Sequence, residues 1–175
     1  EIVGLGVAVP PYVLTNADLE ELVDTNDQWI TERTGIKERR VAGKGDSTAL
    51  LGKRAAEQAL KVAGIAVDEV DLVMVATATP DYTLPSAACI LQLELGMTRG
   101  AAMDVIAGCS GFVYALATAS QFVESGAAET ALVVGSETLS RISDYTDRGT
   151  CILFGDGAGA VVLRRGERGV RAFSL

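Results

Sequence analysis

Short apolar runs alternate along the chain with longer segments that have helical periodicity. The runs at residues 71–78, 101–107 and 130–135 are mostly apolar, without a regular polar alternation. Such runs are typical of strands that are buried on both faces of a sheet. Further strands are predicted at residues 2–9, which end at a pair of prolines, and at residues 158–165 and 170–174.

Helices are predicted between these strands from their start and stop signals. Thr15 and Asp18 have the spacing of a capping box, which begins a helix that reaches about residue 23. Gly35 is positioned to end a second helix over residues 27–33. The other predicted helices begin at Ser47 or Thr48 and end at Gly64, run from Pro85-Ser86 to residue 95 with Gly96 as the cap, and cover residues 110–123 before Gly126.

The order of these elements predicts the class of fold. Strands that alternate with helices form right-handed crossovers, which place helices on both faces of a mostly parallel or mixed sheet. We therefore predict one three-layer α/β/α domain over residues 1–175. No low-complexity stretch or long linker divides the sequence.

Composition and charge narrow the classes of function. The 175 residues are 49% hydrophobic and 22% charged, which is ordinary for a globular domain. Fifteen Lys and Arg residues against 23 Asp and Glu residues give a net charge of −8, which disfavours nucleic acid as a partner. No apolar run reaches the roughly 18 residues of a membrane span, and the sequence lacks the basic start of a signal peptide. We expect a cytoplasmic protein.

The chain contains no histidine, which removes the commonest general base and zinc ligand. A Ser-His-Asp or Cys-His site cannot be built from this chain alone, which disfavours hydrolases and amidotransferases that place a cysteine after a strand. The cysteines Cys89, Cys109 and Cys151 form no Cys-x-x-Cys pair, so we expect reduced thiols. We expect neither a metal site nor a resident cofactor.

Cys109 lies in the most informative segment of the sequence. An apolar strand passes there through the turn Gly108-Cys109-Ser110-Gly111 into a long helix. Unpaired amides and the positive end of the helix macrodipole stabilise a thiolate at such a position, which activates a nucleophile without an adjacent base. A small buried cysteine at a helix start is an alternative of equal weight. Cys89 and Cys151 fall in an apolar helix and in a strand-like run, so we interpret both as packing residues.

Two glycine-rich segments look like nucleotide-binding motifs but lack the required context. Gly4-Leu5-Gly6 leads into prolines and not into a helix. The segment GDGAG at residues 155–159 precedes a strand, so no helix N-terminus is available for a phosphate. We interpret this second segment as a tight turn that packs against another loop, such as the one that carries Cys109.

Trp29 and Arg33 are four residues apart and share one helical face, where a ring and a guanidinium can grip a flat phosphorylated ligand. From spacing alone, a tryptophan that anchors the helix to the core beside a solvated arginine is favoured. The cluster of Lys37, Arg39 and Arg40 is interpreted as a solvated loop. Arg148 lies with Asp144 and Asp147 in a polar stretch, where a ligand loop and an exposed charged loop are equally natural.

Seven segments have the order and spacing of a known family. They are TNADLE at 15–20, DQWI at 27–30, RTGIKER at 33–39, PSAAC at 85–89, AGCSGF at 107–112, TDRGT at 146–150 and FGDGAGA at 154–160. In these segments, which are spread along the chain from residue 15 to residue 160, the sequence resembles the N-terminal half of β-ketoacyl-acyl-carrier-protein synthase III. This family of condensing enzymes belongs to the thiolase superfamily.

The resemblance implies a thiolase-like half with a mixed, mostly parallel five-stranded sheet, and it implies an acyltransferase. Cys109 would be the catalytic residue that accepts an acyl group from an acyl-CoA. The acyl-enzyme would then condense with malonyl-acyl-carrier protein, with loss of carbon dioxide, and so initiate fatty acid biosynthesis. In this reaction acyl-CoA is a substrate and not a cofactor.

The resemblance also assigns two groups of binding residues. The residues that match the coenzyme A site are Thr25, Trp29, Arg33 and Arg148. Trp29 and Arg148 would sandwich the adenine, which replaces the packing interpretation of Trp29. The residues that match the primer acyl pocket are Ala78, Leu84, Leu139 and Phe154. Leu84 is expected to reach across a homodimer interface into the pocket of the partner.

Members of this family are about twice as long and consist of two similar α/β halves. The second half carries a histidine and an asparagine that assist decarboxylation and hold the thioester carbonyl. We therefore interpret the chain as an N-terminal half that needs a complementary half, meaning a polypeptide that supplies the rest of the family's length. An isolated half would expose an apolar surface and so associate or precipitate.

Three other functions stay open at this point. The first two alternatives are half of a polyketide starter synthase and half of an enzyme like hydroxymethylglutaryl-CoA synthase. These two differ from the synthase in the acyl acceptor that they prefer. The third alternative is a half-domain that keeps the fold without turnover.

Overall fold

The computed structural model describes residues 1–167, 169–170 and 172–173. Within these residues there are seven strands, β1 (Ile2–Ala8), β2 (Tyr12–Thr15), β3 (Glu38–Val41), β4 (Leu72–Ala76), β5 (Ala101–Val105), β6 (Thr130–Thr138) and β7 (Asp156–Arg164). The same residues form five α-helices, α1 (Asn16–Glu20), α2 (Asp27–Thr34), α3 (Thr48–Ala63), α4 (Ala87–Glu94) and α5 (Gly111–Ser125). Among them, no helix combines the length and the apolarity that a membrane span requires.

Five strands form one mixed sheet in the order β1-β7-β6-β4-β5, and β2 pairs with β3 in a separate ribbon. β4 runs parallel to β5 and β6, whereas β7 runs antiparallel to β6 and β1. The prediction of a mixed five-stranded sheet is confirmed, but only two of the four pairings are parallel. The connection from β6 to β7 contains no α-helix, so β7 returns beside β6 in the opposite direction.

The sheet is covered on both faces, which confirms the predicted three layers. Leu132 and Val134 pack with the α3 residues Ala55 and Ala59 on one face. The neighbouring positions of the strands point to the other face, where α5 contributes its own buried residues to a second core. All five residues of β4 are buried because both faces of this strand are covered.

A third and smaller core lies beside the sheet. It consists of Leu14, Leu19, Ile30, Cys151 and Ile152, with Trp29 and Tyr145 packed at its margin. This core joins α1 and α2 to the segment at residues 144–153, which is built from successive turns. The segment that precedes β7 is therefore packed against the N-terminal helices.

Most of the predicted helix boundaries agree with the structure. Thr15 and Asp18 form the capping box of α1, although this helix ends at Glu20 and not near residue 23. Ser47 caps α3 and Gly64 ends it with φ of +67°. The C-cap of α4 is Leu95, one residue before the predicted glycine.

The interpretation of Lys37, Arg39 and Arg40 as a solvated loop is wrong. Arg39 and Arg40 lie in β3, and Arg39 is only 4% exposed. Four residues with three charges show no apolar alternation, so the hydrophobic pattern gave no sign of this strand.

The predicted tight turn at residues 155–159 is also wrong, because most of this segment belongs to β7. The glycines of Gly4-Leu5-Gly6 serve close packing, since a Cβ at Gly4 or Gly6 would collide with a backbone oxygen of α3. The predicted strand at residues 170–174 includes Arg171 and Ser174, which lie outside the described residues. The described residues of that range are not in a strand.

Candidate active site

Cys109 lies on the turn between β5 and α5. The turn is a short 3-10 helix, Gly108–Ser110, and α5 begins at the next residue. Gly108 has φ of +52°, a backbone conformation that glycine adopts without strain. Cys109 is exposed to solvent, so the alternative of a small buried cysteine at a helix start is wrong. The thiol therefore lies at the start of α5, where the first amides of the helix have no intrahelical partner.

A cavity of about 440 Å³ opens beside Cys109. It lies where the carboxyl ends of β4 and β6 meet the start of β7, the usual position of ligand sites in open α/β sheets. Its lining is mostly apolar and contains many small residues: Ala76, Ala78, Gly108, Phe112, Gly135, Ser136, Glu137, Leu139, Phe154, Gly157, Ala158 and Gly159. The predicted pocket residues Ala78, Leu139 and Phe154 are therefore brought together around Cys109.

Close packing fixes the first turn of α5 against the sheet. A Cβ at Gly111 would lie 3.4 Å from the Cβ of Ala76, so the helix approaches β4 closely. A Cβ at Gly135 would lie only 3.1 Å from Cδ2 of Phe112, because the ring rests on this glycine. Phe112 follows Cys109 by three residues, so the ring and the thiol are held on one rigid support.

Glu137 was not identified from the sequence, although its carboxylate lies at the edge of the same cavity. It accepts hydrogen bonds from Ala78 N at 2.7 Å, from Thr77 Oγ1 at 3.3 Å and from Thr79 Oγ1. These bonds fix the backbone that carries Ala78. A single carboxylate in a strand gives no sequence signal for this role.

A second cluster surrounds Trp29, which is half-buried on α2. The guanidinium carbon of Arg33 lies 4.4 Å from the ring centroid, and that of Arg148 lies 4.7 Å from it. Thr25 Oγ1 is buried and has no hydrogen-bond partner within the described residues. Three of the four predicted coenzyme A residues, Trp29, Arg33 and Arg148, therefore lie together in the structure.

The spacing of this cluster differs from the predicted adenine sandwich. A planar base between Trp29 and Arg148 needs two stacking contacts of about 3.5 Å each. The guanidinium of Arg148 lies directly on the ring, so it occupies the space of the base. Arg148 Nη1 donates to Asp24 O at 3.0 Å and lies 3.6 Å from Asp24 Oδ2. These are solvent-exposed contacts, which cost little to break.

The remaining predicted site residue, Leu84, does not line the cavity. Its side chain is 83% exposed on the loop before α4.

The packing interpretation of Cys89 is wrong, because Cys89 is exposed on the first turn of α4. Cys151 is buried as expected, but it lies in a turn and not in a strand. Burial raises the pKa of the Cys151 thiol and nearby Asp147 adds to the effect, so this cysteine is a poor nucleophile.

Comparison with known proteins extends the likeness to nearly the whole chain. The family model for 3-oxoacyl-[acyl-carrier-protein (ACP)] synthase III matches residues 103–175. The β-ketoacyl-[acyl-carrier-protein] synthase III of Rhodospirillum centenum is 60% identical over 166 residues, which are 95% of this chain and 51% of that protein. The chain thus spans about half the length of the curated relatives that it matches.

Two solved structures have the same fold as this chain. The 3-oxoacyl-[acyl-carrier-protein] synthase III of Aquifex aeolicus superimposes with a TM-score of 0.94 at 50% identity, over 96% of this chain and 54% of that one. The priming β-ketosynthase of the R1128 polyketide pathway superimposes with a TM-score of 0.93 at 35% identity, over 96% of this chain and 50% of that one. Each likeness again ends at about half of the other protein.

Proposed function

Because this chain belongs to the β-ketoacyl-[acyl-carrier-protein] synthase III family and spans about half of its members' length, we propose that it is the N-terminal half of such an enzyme. Cys109 is the nucleophile of this half. It takes an acyl group from an acyl-CoA primer, and the acyl-enzyme condenses with malonyl-acyl-carrier protein. The reaction initiates fatty acid biosynthesis in the cytoplasm.

The observation that supports this proposal most strongly is the position of Cys109. The thiol is exposed at the start of α5 and lines an apolar cavity of about 440 Å³. An apolar cavity next to a reactive thiol suits the acyl chain of a thioester, which needs shelter from water without polar contacts. Ala78, Leu139 and Phe154 form walls of this acyl pocket.

The first half-reaction is a thioester exchange. The Cys109 thiolate attacks the thioester carbonyl carbon, a new carbon–sulfur bond forms, and the bond to the coenzyme A sulfur breaks. The departing coenzyme A thiolate takes up a proton, so no oxidant or reductant is needed. The amide of Cys109 and one amide of the complementary half stabilise the oxyanion between these steps. The complementary half also supplies the histidine and asparagine for decarboxylative condensation.

Coenzyme A binds at the cluster around Trp29. The adenine stacks on the ring of Trp29 after Arg148 moves away, and Arg148 then covers its other face. Thr25 contacts the base, since its buried hydroxyl lacks a partner in the described structure. Arg33 faces the polar portion of the ligand.

The complementary half packs beside α5, on the part of the same sheet face that this helix does not cover. Leu5, Val7 and Val9, at the edge formed by β1, are each about 60% exposed. In a complete folded protein, such a row of apolar side chains is usually buried against another element or partner. A half without its complement is therefore expected to associate with other proteins or with itself.

The enzyme is a homodimer in this proposal. β5 is an edge strand of the described sheet, so its outer backbone groups are available to a second copy. Leu84, Leu93 and Ile106 are between 72% and 83% exposed. Leu84 reaches from one protomer into the acyl pocket of its partner.

A polyketide priming synthase is the second candidate, because the R1128 priming β-ketosynthase shares the fold at a TM-score of 0.93. Both candidates form an acyl-Cys109 intermediate. They differ in the carrier protein that accepts the acyl group. Parallel assays with malonyl thioesters of a fatty-acid carrier protein and of a polyketide carrier protein separate them.

Incubation of the chain with acetyl-CoA and a co-expressed complementary half tests the proposal. Mass spectrometry of the digested protein is expected to find an acetyl group on the peptide that contains Cys109. Cys109→Ala is expected to abolish this adduct. Cys89→Ala is the matched control, because Cys89 is the other exposed thiol, and it is expected to leave the adduct unchanged. No adduct on Cys109, or an adduct that survives Cys109→Ala, would refute the assignment.

A further inference from the structure

The two walls of the proposed adenine site come from distant parts of the chain. Trp29 lies on α2, whereas Arg148 lies in the turn segment at residues 144–153. This segment makes its backbone hydrogen bonds largely within itself, for example from Thr150 N and Cys151 N to Asp147 O. It belongs to no helix of the fold and to no strand. Side chains must therefore fix its position relative to α2.

Asn16 holds α2 at both of its ends. The side-chain amide donates to Asp27 Oδ1 at 2.7 Å, at the first residue of α2, and to Ile36 O at 2.9 Å, just beyond its last turn. Asn16 is 2% exposed, so its side-chain amide is buried although Asp27 itself is exposed. The bond from Asn16 is the main reason that the pKa of Asp27 is lowered, which keeps this carboxylate charged as an acceptor.

Arg39 extends this link to the turn segment. Its Nη1 donates to Asn16 Oδ1 at 2.5 Å, while Nε and Nη2 both donate to Ile152 O, at 3.0 and 2.5 Å. Ile152 lies four residues after Arg148 in the same segment. Arg39 and Asn16 thus form a continuous buried connection from the segment that carries Arg148 to the helix that carries Trp29.

A contribution to the stability of the fold does not explain why a charged side chain is buried at Arg39. Its guanidinium is buried, and within the described part of the chain it forms no ion pair. Desolvation lowers the pKa of Arg39, which reflects the cost of keeping its charge away from water. An apolar side chain of similar volume often packs as well without this cost. What the guanidinium adds is a fixed geometry, because its planar donors hold two groups at once.

We infer that Arg39 and Asn16 are positioning residues that set the separation between α2, which carries Trp29, and the backbone segment that carries Arg148, and thereby the affinity for the nucleotide portion of acyl-CoA. This inference rests on the proposed function. Neither side chain touches the substrate. Both act by holding the two walls of the site in register, while Cys109 and the acyl cavity are supported by other contacts, such as those of Gly111 and Glu137.

A comparison of two thioester substrates distinguishes a role in positioning the nucleotide site from a role in the stability of the whole fold. Acetyl-CoA uses the nucleotide site, whereas acetyl-pantetheine lacks the nucleotide and uses only the thioester channel. The measurement is the second-order rate constant for acetylation of Cys109 with each thioester, in the chain paired with its complementary half. The variants are Arg39→Met, which removes every donor, and Arg39→Lys, which keeps the charge but loses the planar arrangement of donors that joins Asn16 Oδ1 to Ile152 O. Arg40→Met is the matched control, since Arg40 is the next residue of β3 and is partly exposed.

We expect Arg39→Met, which breaks all three hydrogen bonds of this connection, to misplace the walls of the site and lower the rate constant with acetyl-CoA by about tenfold, with no change for acetyl-pantetheine. With acetyl-CoA, the rate constant of Arg39→Lys is expected to lie between those of Arg39→Met and the wild type. The rate constant of Arg40→Met is expected to equal that of the wild type. Equal losses with both thioesters, or no loss in either Arg39 variant, would overturn the inference. If Arg39→Met does not fold, the comparison of the two thioesters in Arg39→Lys tests the inference instead. Absence of acetylation in the unchanged protein would instead refute the proposed function.

Discussion

Cys109 is accessible because the residues around it are small. Ala76, Ala78 and Gly135 leave the cavity open, and Gly108 permits the turn that presents the thiol. The thiol is presented by the turn at the start of α5, where the first amides of the helix have no intrahelical partner. Reactivity at this position thus depends on backbone geometry more than on any one polar side chain.

Trp29 is the residue whose removal tests the proposed coenzyme A site most simply. Trp29→Ala removes the stacking surface for the adenine, and base stacking on an aromatic ring contributes about 1–3 kcal/mol. We expect the dissociation constant for coenzyme A, measured by calorimetry, to rise about tenfold or more. Trp29→Phe retains part of the surface and is expected to show a smaller rise. Unchanged affinity in Trp29→Ala would place the adenine elsewhere.

Single residues differ in how well the sequence predicts them. Cys109 stood out because a strand, two glycines and a helix start surround it in the sequence. Cys89 was misassigned because α4 is apolar around most of its circumference, so its pattern does not indicate the buried side. Arg39 was misassigned because a buried arginine in a charged tetrapeptide looks like a solvated one until its partners, 23 and 113 positions away, are known.

At the scale of elements, Asp104 connects β5 to the start of α4. Its carboxylate accepts hydrogen bonds from Ala87 N and Ala88 N, both at 2.8 Å. Ser86 caps the same helix by accepting from Cys89 N at 3.2 Å. The helix that follows the Leu84 loop is thus tied to the strand that leads to Cys109.

Asp104→Ala is expected to destabilise the fold through this connection. It leaves two amides at the start of α4 without their acceptor, and such a loss costs about 1–3 kcal/mol. Urea unfolding measures the change in the free energy of unfolding. Asp68→Ala is the control, because Asp68 is exposed and its carboxylate accepts no hydrogen bond within the described residues. Equal effects of the two substitutions would mean that the connection contributes nothing.

The helices and strands were predictable where the sequence shows a hydrophobic periodicity or helix-capping residues. The five strands of the main sheet and the helices α1 to α5 all have such signals. β2 and β3 do not, because each has four residues and their pairing joins positions 23 to 29 apart along the chain. The direction of β7 was not predictable from its own residues, since it depends on the absence of a crossover helix before it.

At the scale of the whole molecule, several surface carboxylates are held in their charged form. The pKa values of Asp18, Asp27, Asp46, Glu69, Asp144 and Asp147 are all lowered, chiefly by hydrogen bonds. A carboxyl whose pKa is lowered on folding contributes stability above its unfolded pKa of about 4. That contribution is lost as the pH falls through the lower value of the folded state.

We therefore expect the free energy of unfolding to fall as the pH is lowered from 5 to 2. Urea unfolding across this range measures the fall. Asp46→Asn removes one of these groups, whose pKa is lowered mainly by the backbone amide of Gly43, and is expected to reduce the slope. A stability that stays level or rises towards acid would contradict the assigned hydrogen bonds.

The central claim is that this chain supplies the acyl-accepting half of a condensing enzyme. The most direct measurement follows both half-reactions with labelled acetyl-CoA and malonyl-acyl-carrier protein, for the chain alone and for the chain with its complementary half. The account predicts acetyl-Cys109 from the pair, and β-ketoacyl-carrier protein only when both halves are present and Cys109 is intact. Condensation by the chain alone, or by a pair that carries Cys109→Ala, would contradict it.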